Sequence, residues 1–213
     1  MTEQSETHFA PEAVRRGRLM AAIMMLVLAL PLVAAIVVYR TGIGMPAGTA
    51  NEGVLLTPPQ PIEQLALVER DSTQPWDIRK ERARWRLLVP ALAGCDDQCK
   101  QNLYLTRQVH VRLAKDAYRM ERFILLGQNE PVDAEFEEFL QREHPGLRTM
   151  RVSEDRLTEL LAATNLATSQ PDDEGHYYLM DQRGFVMMAY HREHTGNQLL
   201  ADIKRMLKVT YEG

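Results

Sequence analysis

The chain has 213 residues, a formal net charge of −4 and 25% charged residues; with no basic cluster interleaved with aromatics, this balance excludes a nucleic-acid-binding surface. Its 45% hydrophobic content excludes a disordered chain and fits one globular domain with additional segments. Two cysteines cannot build a disulfide framework, so they form at most one bridge or one metal site.

In chain order, residues 1–18 read as a short polar tail. From Leu19 to Tyr39, "LMAAIMMLVLALPLVAAIVVY" runs 21 residues without a charge, and as a helix this run spans roughly 30 Å, the thickness of a bilayer's hydrocarbon core. The run predicts a transmembrane helix over 19–39, within which Pro31 is tolerated. A cleaved signal peptide is the alternative, with Arg15, Arg16 and Arg18 as its charged region and Gly48-Thr49-Ala50 as a small-residue cleavage site. The apolar run is too long for that reading, and the cleavage site lies too far beyond it. Three arginines precede the span and Arg40 follows it, so the positive-inside rule places the N-terminus in the cytoplasm and the remainder outside. In a bacterium this describes a single-pass inner-membrane protein with a periplasmic C-terminal domain. The periplasm is oxidising, and a cysteine pair there serves as a disulfide, a redox couple or a metal site.

Residues 40–75, with Gly42, Gly44, Pro46, Gly48 and Gly53 followed by Pro58-Pro59 and Pro61, read as a linker. Within it "IEQLALVER" suits a short strand or helical turn. The pattern becomes regular over 76–213. "ARWRLLVPA" predicts a buried strand stopping at Pro90. Cys95 and Cys99 follow, then a helix over 100–119, a buried strand "RFILLG" at 122–127, and an amphipathic helix "DAEFEEFLQREH" ended by Pro145-Gly146. "LRTMRVS" suits a short strand and "EDRLTELLAAT" a further helix. "HYYLMDQRGFVMMAYH" predicts a β-hairpin turning at Asp181-Gln182-Arg183-Gly184, and "NQLLADIKRMLKV" a closing amphipathic helix. Alternating strands and helices with a late hairpin predict an α/β three-layer sandwich around a mixed sheet, the thioredoxin-like pattern. The cysteines then fall between the first strand and the helix after it.

Within a regular helix the two cysteine Cβ atoms would stand roughly 5–6 Å apart, whereas a disulfide needs about 3.5–4.5 Å. Bridging therefore requires Cys95 to sit in the loop before the helix. Asp96 or Asp97 is a good N-cap that allows this, and both the bridged and open states are available. The helix N-terminus favours a thiolate; the two aspartates oppose it and Lys100 offsets them in part. An acidic loop with soft sulfur ligands also suits Cu(I).

"WRLLVPALAGCDDQCKQNLYLTRQVHVRL" and "GHYYLMDQRGFVMMAYHREHTGNQLLADIKRMLK" together resemble the membrane-anchored thioredoxin-like proteins of the Sco/SenC group, over roughly residues 80–210. The C-x-x-x-C after a strand and the "YLMDQRG" hairpin carry the resemblance. Sco proteins bind copper through the two cysteines of that motif and a distant histidine, and they help build the copper centre of cytochrome c oxidase. The resemblance thus implies copper as cargo, Cys95, Cys99 and His176 as its ligands, and cytochrome c oxidase subunits or other assembly factors as partners. Two departures stand out. Asp96 occupies the place of the family's proline after the first cysteine, and the position five residues before Tyr178 is Asp173, with His176 only two residues before it.

The other histidines read as structural. His191 and His194, spaced i, i+3 in "HREH", are expected at the far end of the hairpin from the cysteines, in a solvated loop. His110 is expected in a packing or polar contact on the helix behind Cys99, and His144 at a helix end. The methionines fill the membrane span and the core. The leading expectation is an assembly factor for cytochrome c oxidase that delivers copper or maintains the redox state of a copper site. The alternatives are a thiol–disulfide oxidoreductase in which Cys95 attacks and Cys99 resolves, and a non-catalytic scaffold with a structural cysteine pair.

Overall fold

The computed structural model describes residues 11–41, 50–166 and 175–209; Asp173 and the start of the tail lie outside them. The chain divides into two units, Met1–Thr49 and Ala50–Gly213. Among the described residues of the first lies one helix, α1 (Pro11–Thr41), which contains Pro31 without ending there. Its segment Arg15–Thr41 is long and apolar enough to cross a membrane, and none of its most apolar window is buried.

Among the described residues the second unit is built on seven strands: β1 (Val54–Pro61), β2 (Val68–Glu69), β3 (Trp85–Ala91), β4 (Met120–Gly127), β5 (Leu147–Val152), β6 (Tyr177–Met180) and β7 (Phe185–Tyr190). They form one sheet in the order β1-β7-β6-β3-β4-β5-β2. β3, β4 and β5 are parallel, and the strands on either side of them run antiparallel to their neighbours. The helices are α2 (Asp97–Arg112), α3 (Ala134–Glu143), α4 (Glu154–Ala162) and α5 (Gly196–Val209). Strand alternation divides the core between the two faces of the sheet. Leu87, Val89, Ile124 and Leu126 point to the face covered by α2, α3 and α5. Leu88, Phe123 and Leu125 point to the face covered by α4 and a 3-10 turn at Ile62–Leu65. The three-layer, mixed-sheet sandwich is the architecture the sequence predicts.

Two boundaries differ from expectation. The folded unit begins at Ala50 rather than Trp76, because the proline-rich stretch read as linker is strand β1, paired only with β7 at the sheet's edge. An edge strand tolerates prolines, since its outer N–H groups have no ladder to join. Asp202, 1% exposed on α5, fixes the segment before it by accepting hydrogen bonds from the backbone N–H groups of Glu52 and Gly53. β3 also runs one residue past Pro90. Its pairing with β6 covers only Arg86 to Leu88, so the proline's missing donor interrupts nothing on that side.

Candidate functional site

The cysteine loop is organised by a helix cap. Asp96, in extended backbone, accepts from the N–H of Cys99 at 2.8 Å and starts α2 at Asp97. Cys95 therefore stands before the helix and Cys99 in its first turn, with a Cα separation of 5.2 Å, and the two are joined by a disulfide. Of the two candidate N-caps, Asp96 is the one used, and it places the helix start between the sulfurs as a bridge requires. Cys99 is buried at 6% exposure and packs with Leu103 into the α2 core; Cys95 is half-buried. A reagent approaching from solvent reaches Cys95 first.

The loop separates two clefts. On one side Cys95 lines a cleft of about 500 Å³ against α3 and the turn before it. On the other, Cys99 shares a cleft of about 430 Å³ with Gln98, Asn102, His176 and Arg192. His176 reaches that cleft because α2 holds the chain entering β6. Asn102, 4% exposed, donates to the carbonyl of Gly175 at 2.9 Å. Gly175 itself has φ +63°, and a Cβ there would lie 2.3 Å from Cγ of Gln98, so glycine alone fits this approach. Sequence reading missed Gln98, Asn102 and Gly175; the glycine directly before His176 was the available signal.

Profile comparison matches residues 85–210 to the family described as the transmembrane-like, thioredoxin-like C-terminal domain. The chain belongs to that family. Among solved structures, this transmembrane-like thioredoxin-like chain is similar to yeast Sco1 with copper bound (15% identity, TM-score 0.53, 77% of this chain and 97% of that one). It is similar to apo Sco1 from Thermus thermophilus (15% identity, TM-score 0.53, 76% and 99%). BsSco, a member of the Sco family of cytochrome c oxidase assembly proteins with a disulfide switch, matches at 12% identity and TM-score 0.52, over 75% and 98% of the two chains. At these identities the likeness to Sco proteins is one of fold. No curated protein sequence matches the chain.

The histidines of this thioredoxin-like domain fall partly as expected. The imidazole of His110 bonds to the carbonyls of Ala117 and Met120, and burial holds its pKa below the usual value. His144 caps the C-terminus of α3 and is 3% exposed. His191 and His194 are not remote from the cysteine end. In the antiparallel hairpin Tyr190 pairs with Tyr177, so residues after β7 return to the level of His176. The rings of His176 and His191 lie 6.1 Å apart, and those of His191 and His194 lie 4.1 Å apart. Nor is His194 solvated: Nδ1 accepts from the His191 N–H and Nε2 meets the Glu52 carbonyl, which uses both nitrogens in the fold.

The residues present do not fit a copper ion while the disulfide stands. Its sulfurs are not thiolates, the form in which cysteine binds Cu(I). His176 stacks over Tyr178, ring centroids 6.3 Å apart, and what it shares with Cys99 is the lining of one cleft. Among the described residues no three His, Cys, Asp or Glu side chains gather in metal-holding geometry. What the arrangement offers chemically is a disulfide with one approachable sulfur and one sheltered one.

Proposed function

We propose that this protein is a membrane-anchored thioredoxin-like accessory factor of cytochrome c oxidase assembly, whose Cys95–Cys99 pair acts as a dithiol–disulfide couple maintaining the redox state of a copper site in its partner. The observation that carries the redox role is the disulfide at the N-terminus of α2, with Cys95 open to a cleft and Cys99 buried behind it. The fold shared with yeast Sco1 and with BsSco supports the assembly setting. Residues 1–18 form the cytoplasmic tail, residues 19–39 cross the inner membrane, and the domain stands in the periplasm; Arg15, Arg16 and Arg18, just before the apolar span, support that orientation.

In the reduced form the Cys95 thiolate attacks a disulfide of the partner, forming a mixed disulfide and expelling one partner thiolate. The Cys99 thiolate then attacks the Cys95 sulfur and expels the second. Two electrons and two protons pass to the partner, and the bridge seen here is the product. The short loop keeps Cys99 within reach, so the second step is intramolecular and fast. A second reading, copper carriage by the reduced pair with His176, rests on His176 and Cys99 lining one cleft.

Both readings are tested on the full-length protein in detergent. Cys99→Ser is expected to trap a mixed disulfide at Cys95 with a model disulfide, and Cys95→Ser to trap none. Failure of Cys99→Ser to form the adduct would refute the redox role. Titration of the reduced protein with Cu(I) tests the second reading: stoichiometric binding lost in Cys95→Ser and weakened in His176→Ala supports it, and no binding removes it.

A further inference from the structure

The cleft beside Cys95 has a chemistry of its own. Its floor is apolar, formed by Leu126, Val132, Phe136 and Phe139, with the two phenylalanine rings stacked 6.0 Å apart. Phe136, Phe139 and Val132 are only partly buried where they pack on the core, so they present apolar surface next to a reactive sulfur. Its rim is acidic: Glu130, Asp133, Glu135 and Glu138 line it, against Lys100 and Arg142. Arg142 is already paired with Glu138 at 3.3 Å and Glu143 at 3.0 Å. Glu130 stands beside the cysteine loop itself, since a Cβ built on Gly94 would lie 3.4 Å from its carboxylate oxygen. The exposed Asp96 and Asp97 add negative charge on the other side of Cys95.

The wall that carries Glu130 is fixed in place. Arg151 donates to the carbonyls of Gly127, Gln128 and Glu130 at 3.0 to 3.2 Å. The cleft on the Cys99 side differs, offering His176, Gln98, Asn102 and Arg192 with Asp96 as its one carboxylate. Of the two clefts, only the Cys95 side carries an acidic excess.

We infer that this cleft is the docking groove for the partner's cysteine-bearing segment, and that the segment is basic: an extended stretch whose cysteine meets Cys95, whose apolar neighbour covers Phe136 and Phe139, and whose Lys or Arg faces Glu130 and Glu135. The inference rests on the redox reading of the cysteine pair and names its substrate class. Charge complementarity decides the occupant. An acidic segment would meet four carboxylates in the groove and two more on the loop, and like-charge juxtaposition suppresses wrong partners while opposite charge speeds encounter. The apolar floor holds any segment of suitable shape, so it contributes affinity rather than selection.

The test uses the reduced full-length protein in detergent and three capped tetrapeptides whose single cysteine carries a 2-nitro-5-thiobenzoate group in disulfide linkage. Each has leucine before the cysteine, with two flanking lysines, serines or glutamates. Attack by Cys95 on the peptide sulfur expels 2-nitro-5-thiobenzoate, read by its absorbance; Cys99 then closes the bridge and releases the peptide thiol. Attraction at two positions in one peptide against repulsion at the same positions in the other leads us to expect the lysine peptide to react roughly tenfold faster than the glutamate peptide at low salt. The rates should converge at 1 M salt, where the screening length falls to about 3 Å. Glu130→Gln with Glu135→Gln, both outside the core, should lower the lysine-over-glutamate rate ratio several-fold at low salt. Equal wild-type rates for all three peptides, or a lysine preference undiminished by the double substitution, would overturn the groove assignment and leave the redox role standing. Absence of exchange with every peptide would overturn the redox role and the inference with it.

Discussion

Replacing Asp202 tests the finding that the chain from Ala50 onward belongs to the folded domain. Its carboxylate is 1% exposed and accepts from the N–H of Glu52 at 3.0 and 3.1 Å, from the N–H of Gly53 at 2.9 Å and from the Tyr190 hydroxyl at 3.2 Å. Arg205 adds a partly exposed ion pair at 3.3 Å. Asp202→Ala strands the buried Gly53 N–H and Tyr190 hydroxyl, while the half-exposed Glu52 N–H turns to water. At about 1–3 kcal/mol per stranded buried donor, the loss from the two is about 2–6 kcal/mol, a large share of the 5–15 kcal/mol that holds a typical domain. Asp202→Asn keeps one acceptor oxygen and should lose roughly half as much. Both tryptophans, Trp76 and Trp85, lie in this domain, so urea unfolding followed by their fluorescence reports on it alone. With a slope of about 2 kcal/mol per molar, Asp202→Ala should move the midpoint down by roughly 2 M. A shift within about 0.3 M of wild type would refute the reasoning and leave the segment before β1 an unanchored tether.

The remaining predictions concern buried charge. Arg86, fully buried, pairs with Glu121 at 2.8 Å and donates to the carbonyls of Arg82 and Arg84, so Arg86→Met should cost about 3 kcal/mol by stranding them. Arg122 is 4% exposed, has one long contact at 3.5 Å to the Pro145 carbonyl and an Nη1 without a partner, and burial pulls its pKa down to about 10. Arg122→Met is therefore expected to be neutral or stabilising by about 1–2 kcal/mol, and urea midpoints in the reverse order would contradict both accounts. Burial, with Arg122 and Arg107 nearby, lowers the pKa of His144 to about 4. It stays neutral in the fold and takes up a proton more readily when unfolded, so stability should fall as pH drops from about 6.5 toward 4. The half-buried His110 acts in the same direction. His144→Gln should flatten the loss measured by unfolding at a series of pH values; an unchanged slope would refute its assignment.

Much of the site was legible because its determinants are local. A capping aspartate between two cysteines sets the helix start, and an apolar run before it sets β3. The loop position of Cys95 and the inner position of Cys99 follow from that cap alone. What escaped depends on long-range pairing. Pro58 and Pro59 read as spacer because nothing nearby shows that β7 offers them an edge to pair with, or that Asp202, 149 residues after Gly53, holds their approach. His191 and His194 were misplaced for a different reason: an antiparallel hairpin brings its two outer ends together, and the register Tyr177 to Tyr190 carries His191 back beside His176. The acidic cleft was hidden because Glu130 lies in a turn and Glu135 on an amphipathic helix, where charges read as solvated surface until the fold sets them beside Cys95.

The reduction potential of the Cys95–Cys99 pair tests the central claim most directly. It is obtained by equilibrating the full-length protein in detergent with glutathione or dithiothreitol buffers and counting free thiols after alkylation. With the half-buried Cys95 reachable from its cleft, a working couple should fall in the range of about −120 to −270 mV spanned by thiol–disulfide exchange proteins. A value below about −300 mV, typical of structural disulfides in secreted proteins, would contradict the redox role and make the pair a brace for the loop.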